Sequence, residues 1–105
     1  MAKRKTLMDE FREELVNDRK LNALYQRELA KLKLANQILA ARQHAGLTQS
    51  GLAKRIGTQQ TGVARMENAG YSGWTVATLA KIAAATGSKL EVRIVPSGRR
   101  LAMAK

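Results

Sequence analysis

Between Leu47 and Asn68 the chain holds two stretches of helical length, each preceded by a threonine and parted by a single glycine, Gly57. Thr48 can accept a hydrogen bond from a first-turn amide and cap a helix running to Ile56, with Leu47 folding back onto Leu52 as a hydrophobic staple. Gly57 supplies the stop, and Thr58 can cap the helix that follows. At helical period that second helix places Val63, Met66 and Glu67 on one side, and Gln60, Thr61, Ala64, Arg65 and Asn68 on the other. One side is mostly apolar and the other polar, so the pair must lean on further helices through the first and keep the second wet.

The flanking sequence supplies those helices. Leu7, Met8, Phe11 and Leu15 predict a short amphipathic helix ending near Asn17, with Asp18 as a cap for the next. Leu21, Leu24, Tyr25, Leu29 and Leu32 keep the helical period, and neither Gly nor Pro intervenes before Gly46, so a long helix follows, bent or broken near Lys33. Ala35, Ile38, Leu39 and Ala45 continue an apolar stripe that also contains Arg42, a charge in need of a partner. Beyond the central pair, Gly70 and Gly73 bracket a loop, and Trp74 is expected to pack there. Thr75 can cap a fourth helix with Val76, Leu79, Ile82 and Ala83 inward, closed by Gly87. From Lys89 to Ile94 the residues alternate before Pro96, which predicts one short strand, paired across a two-fold axis with a second subunit or with a different protein. The expectation is an all-α fold with four parts: a helical extension over 1–33, a helical domain over 34–88, a strand over 89–96 and a basic tail over 97–105.

Composition narrows the function classes. With no cysteine, a single histidine (His44) and no cluster of paired carboxylates, the chain lacks the usual metal ligands and nucleophile–base sets, so no enzyme, metal or cofactor is expected. No apolar run approaches the ~18 residues of a membrane span, and the basic N-terminus leads into charged helix, so a soluble, cytoplasmic protein is expected. The net charge of +11 comes from 19 Lys and Arg against 8 Asp and Glu, an excess suited to a polyanion. Only two acids, Glu67 and Glu91, fall in residues 34–105, so phosphate contacts are expected there.

Two short helices around Gly57 have the proportions of a helix-turn-helix. A helix fits the major groove, where Gln60 can bond bidentately to adenine, Arg65 to guanine, and Thr61 can touch the thymine methyl. Gln49 and Gln59 lie in first helical turns, where free amides favour a phosphate, and should position the protein. Lys54, Arg55 and Asn68 can each contact the phosphate backbone or simply be solvated. Gly51 and Gly62 each cost on the order of 1 kcal/mol in helix propensity, so either the helices are marginal until docked or a close approach makes a missing side chain useful, with close packing of Gly62 against the neighbouring helix the preferred reason.

The stretch TQSGLAKRIGTQQTGVARMENAG resembles the helix-turn-helix of the phage-repressor or Cro/C1 type, the xenobiotic-response-element (XRE) family, over about residues 34–87. The resemblance implies a lambda-repressor-like bundle in which Arg42 and Glu67 form a structural ion pair. The charged N-terminal extension, the ending GSKLEVRIVP and the length near 100 residues resemble antitoxins of HigA type. That likeness implies a dimer that represses its own operon on an inverted repeat, associated with the bacterial nucleoid when bound. It also implies neutralisation of an mRNA-cleaving HigB-type toxin of RelE-like fold. Phe11, Leu15, Leu21 and Tyr25 are the natural anchors for that toxin. The alternatives are a stand-alone XRE-family regulator without a toxin, whose extension over 1–33 completes the core, forms the dimer or senses something else, and an RNA-binding protein, against which the 4% aromatic content speaks because single-stranded RNA is commonly held by stacking.

Overall fold

The computed structural model describes residues 6–96, and among these the chain forms four helices and no strand. α1 spans Leu7–His44, α2 Gln49–Ile56, α3 Gln60–Met66 and α4 Val76–Ala85.

α1 is one helix of 38 residues, where the sequence reading had two. It begins on a capping box: the Thr6 hydroxyl accepts from the Asp9 amide, and the Asp9 carboxylate accepts from the Thr6 amide, both at 3.1 Å. Asn17 and Asp18 lie inside the helix, and Lys33 marks no break. The physical reason is one of scale. A polar residue such as Asn or Asp costs no more than ~0.7 kcal/mol in a helix interior, far less than the ~3 kcal/mol of a proline, and no Gly or Pro adds to it. At 1.5 Å per residue the helix runs about 57 Å, which accounts for most of the 69 Å long axis of the molecule.

The core sits at the C-terminal end of this rod. Ile38 from α1 meets Leu52, Ala53 and Ile56 from α2, Val63 and Met66 from α3, and Ile82 from α4. Leu52 and Val63 are fully enclosed. Leu47, Leu79, Tyr71 and Trp74 close the rim. The Trp74 indole donates to the Met66 carbonyl at 3.0 Å, and its ring meets Tyr71 edge-on at a centroid distance of 5.2 Å. Trp74 thus ties the loop after α3 to the end of that helix.

Thr48 caps α2 through the Gly51 amide, and Thr75 caps α4 through the Thr78 amide, both as the sequence predicts. Gly57 ends α2 at φ +77°, a left-handed conformation that other residues adopt only at a cost. Three local expectations fail. Thr58 does not cap α3: Gln59 holds the cap position and its side chain makes no capping bond. Val76 is 64% exposed instead of inward, because at the first position of α4 it precedes the turns that reach the core. Residues 89–96 are irregular, with Val92, Ile94 and Val95 exposed. A strand needs a neighbour for its backbone groups, and no other part of the described chain supplies one. The expected basic tail over 97–105 lies outside the described residues.

Candidate nucleic-acid interface

α2 and α3 meet across the three-residue turn 57–59, with the apolar side of α3 buried through Val63 and Met66. Its opposite side carries Gln60, Thr61 and Arg65, all exposed, with Ala64 half-buried between the two faces. Asn68, also exposed, lies just past the helix and its side-chain oxygen accepts from the Gly70 amide at 2.7 Å, which shapes the turn out of α3. Lys54 and Gln59 are solvent-exposed on the same two-helix unit.

Beneath this face lies a polar chain reaching from α1 to α3. Arg42 Nε donates to Glu67 Oε2 at 2.6 Å and Arg42 Nη2 to Glu67 Oε1 at 3.0 Å, a bidentate pair. The remaining Arg42 amine donates to the Leu47 carbonyl at 2.9 Å. The two side chains are 12% and 5% exposed, so the charges face each other largely out of water. The hydrogen bond that Arg42 donates to Glu67 raises the Arg42 pKa against the opposing effect of burial, with the attraction between the charges adding to it. The sign is that of a base gaining a partner. Arg42's share of stability is fully present below its ordinary, strongly alkaline value, and is lost only as pH rises through the still higher folded value.

Glu67 Oε1 also accepts from Gln49 Nε2 at 3.1 Å, and Gln49 Oε1 accepts from Gln60 Nε2 at 2.5 Å. Gln49 is therefore half-buried and engaged inside the protein, while Gln60 is held at the edge of the exposed face. Its orientation is fixed through three successive partners ending on α1. Sequence reading placed Gln49 outward, because a glutamine at a helix start carries no sign of which carboxylate it will meet.

Two further contacts were not legible. The Arg55 guanidinium donates to the Ala85 carbonyl at 2.9 Å, closing the C-terminal end of α4 instead of pointing freely into solvent. Thr86, buried, donates to the Ile82 carbonyl at 2.8 Å in the last turn of the same helix. For Gly62 the reason is also different from the one expected. A Cβ there would lie 2.7 Å from Thr58 Oγ1, so the close approach is to the threonine before α3 and not to a neighbouring helix. At Gly51 a Cβ would lie 3.2 Å from Thr48 Oγ1, the hydroxyl that caps α2.

A family model described as a helix-turn-helix domain matches residues 18–95. This chain belongs to the helix-turn-helix domain family. It is a DNA-binding protein of the XRE-like kind, and within the matched span α2, the turn at Gly57 and α3 form two short helices joined by a tight turn. No curated protein and no solved structure matches the chain. No helix among the described residues is long and apolar enough to cross a membrane, and no group of three or more His, Asp or Glu among them gathers as a metal site.

Proposed function

We propose that this helix-turn-helix protein is a sequence-specific transcriptional repressor that binds an inverted-repeat operator as a homodimer, with α3 in the major groove. The observation that carries the reading is the two-sidedness of α3. Val63 and Met66 lock it into the core, while Gln60, Thr61 and Arg65 stand exposed on the other side. Gln60 is further pre-oriented by Gln49, so less freedom is lost when it pairs with an adenine edge. Gln59, Lys54 and Asn68 fit the supporting role of phosphate contacts, with Gln49 contributing through Gln60. Arg42 and Glu67 serve as the structural pair that fixes the end of α3 against α1. In a dimer the two α3 helices would enter successive major grooves about 34 Å apart.

The test is selection of a preferred duplex from a random pool, followed by titration at several salt concentrations. A defined inverted repeat with a steep salt dependence supports the proposal, because each phosphate neutralised releases counterions. Equal affinity for every duplex would overturn it.

A second reading adds an antitoxin role, in a module of HigBA type within the bacterial cytoplasm. It draws on the resemblance of the outer segments, and on the exposure of Phe11 (55%), Leu15 (41%), Leu21 (62%) and Tyr25 (61%), large apolar side chains with no cover in the single chain. A HigB-type mRNA-cleaving toxin would dock there. Co-purification with the product of the adjacent gene, repeated with Phe11→Ser and Tyr25→Ser, checks it. A stoichiometric partner lost from the variant supports the antitoxin role, and a chain that comes out alone while still binding its promoter leaves the stand-alone regulator.

A further inference from the structure

From Thr6 to Lys33 α1 stands clear of the domain, and only Leu29 and Lys31 there are even half-buried. Its apolar residues recur at spacings of three and four. Met8, Phe11, Leu15, Tyr25, Leu29 and Leu32 occupy six of the eight positions a and d of one heptad register over residues 8–32. The other two are Asp18 at d and Asn22 at a. We propose that this seam pairs with the same seam of a second copy of the chain, in a parallel, in-register two-stranded coiled coil.

The occupant is named by the charges beside the seam. In a parallel pair a g position meets the e position five residues later on the other helix. Here Glu14 meets Arg19 and Glu28 meets Lys33, while the remaining pairs are Leu7 with Arg12 and Leu21 with Gln26. None of these g–e pairs sets like charges together. Glu28 already touches Lys31 of its own helix at 3.4 Å, yet its side chain is 51% exposed and one oxygen is open to Lys33 of a second copy. In an antiparallel pair with the arms fully overlapped e would face e and g would face g, setting Arg19 against Arg19 and Glu14 against Glu28, while Asp18 would meet Asn22. The arm is also acidic over residues 9–18 and basic over 19–33, which by itself favours antiparallel pairing. Half of those charges, however, sit at b, c and f on the outer side, and across two helix diameters of about 10 Å each they are screened by physiological salt.

The polar seam positions bear on the number of strands. A single asparagine at an a position specifies register and oligomer state at a cost in stability. Asp18 sets two carboxylates together and weakens the pairing further. The domain does not obstruct it. Leu29 on the seam and Ile38 in the core are nine residues apart, which at about 100° per residue puts them on opposite sides of α1. Two copies joined by their arms therefore carry their domains on the outside, at the same end and related by a two-fold axis along the coil. This inference deepens the dimeric reading above and rests on it, but it is read out without DNA.

The experiment is sedimentation of the full-length chain, alone and as two charge variants, Glu14→Lys with Glu28→Lys, and Arg19→Glu with Lys33→Glu. The wild type is expected as a dimer. Each variant by itself should associate at least tenfold more weakly, and an equimolar mixture of the two should recover a heterodimer. Because the chain has no cysteine, Leu15→Cys reports the direction: an a position meets its own counterpart only in a parallel pair, so oxidation should give a disulfide-linked dimer. Circular dichroism confirms that each variant remains helical. A monomeric wild type overturns the proposal and leaves the seam to a protein of another kind, as the antitoxin reading requires. A dimer indifferent to both charge variants, a mixture that fails to re-associate, or a Leu15→Cys chain that does not cross-link would each overturn it as well. An unselective result in the operator experiment would leave this outcome untouched.

Discussion

One helix, α1, belongs to two regions with opposite habits. Its last three turns give Ala35 and Ile38 to the core at 1% and 3% exposure, and hold Arg42 against Glu67 from α3. Its first seven turns bury nothing comparable: Leu7 is 82% exposed and Phe11 55%. Charge divides the same way. Residues 7–33 carry six basic and six acidic side chains, whereas residues 34–96 carry seven basic and two acidic ones. The domain has buried the apolar side chains of its four-helix core, leaving Val76 and those of residues 92–95 exposed, and kept a basic surface for a polyanion. The arm has balanced its charges and left its apolar side chains uncovered, which suits contact with protein more than with nucleic acid.

The largest effect should come from breaking the domain where it holds the arm-bearing helix. Arg42→Ala or Glu67→Ala leaves one charge buried without its partner and should cost about 3–5 kcal/mol in denaturant unfolding. A loss below 1 kcal/mol would mean that water reaches the pair. Leu52→Ala, at a fully enclosed position, should cost about 2–5 kcal/mol by loss of contact and a residual cavity. Next is the outward face of α3. Arg65→Ala or Gln60→Ala should leave unfolding nearly unchanged and weaken operator binding by about 1–3 kcal/mol, with relaxed preference at particular base pairs. A uniform loss across all duplexes would make them phosphate contacts and not readers.

On the arm the contrast reverses. Phe11→Ala should change the unfolding of the domain by no more than about 0.5 kcal/mol, the range of exposed positions away from special features, while lowering self-association. If it destabilises the domain, the two regions are not as independent as their burial indicates. The smallest effect sharpens one local contact. Gly62→Ala gains up to about 1 kcal/mol of helix propensity but presses a methyl on the Thr58 hydroxyl. The double variant with Thr58→Ala should be more stable than Gly62→Ala alone, by thermal unfolding, and equal stabilities would show that the hydroxyl simply turns away.

Much of this was legible in the residues. Thr48, Gly57 and Thr75 mark helix ends through hydrogen bonds within a few positions of themselves, and the sequence read alone places them correctly. The two faces of α3 follow from the 3.6-residue period, which is equally local. Misreadings arose where a local signal had to be weighed against something distant. Asn17 and Asp18 look like a boundary because they cap helices well, but a cap forms only where the chain turns, and nothing there makes it turn. The alternation from Lys89 to Ile94 suits a strand, yet strand formation is decided by a partner's backbone and not by the pattern itself.

The sequence by itself determined where α2 begins and ends, where α4 begins, and which side of α3 stays wet, because those depend on spacing and on bonds between near neighbours. Only the tertiary structure decided how the polar side chains are shared. Glu67 lies 25 residues from Arg42 and 18 from Gln49, and Gln60 lies 11 beyond Gln49. No local rule links such positions. Packing α1, α2 and α3 around Ile38, Leu52 and Val63 brings them within hydrogen-bond reach, and burial then requires that every donor and acceptor find a partner.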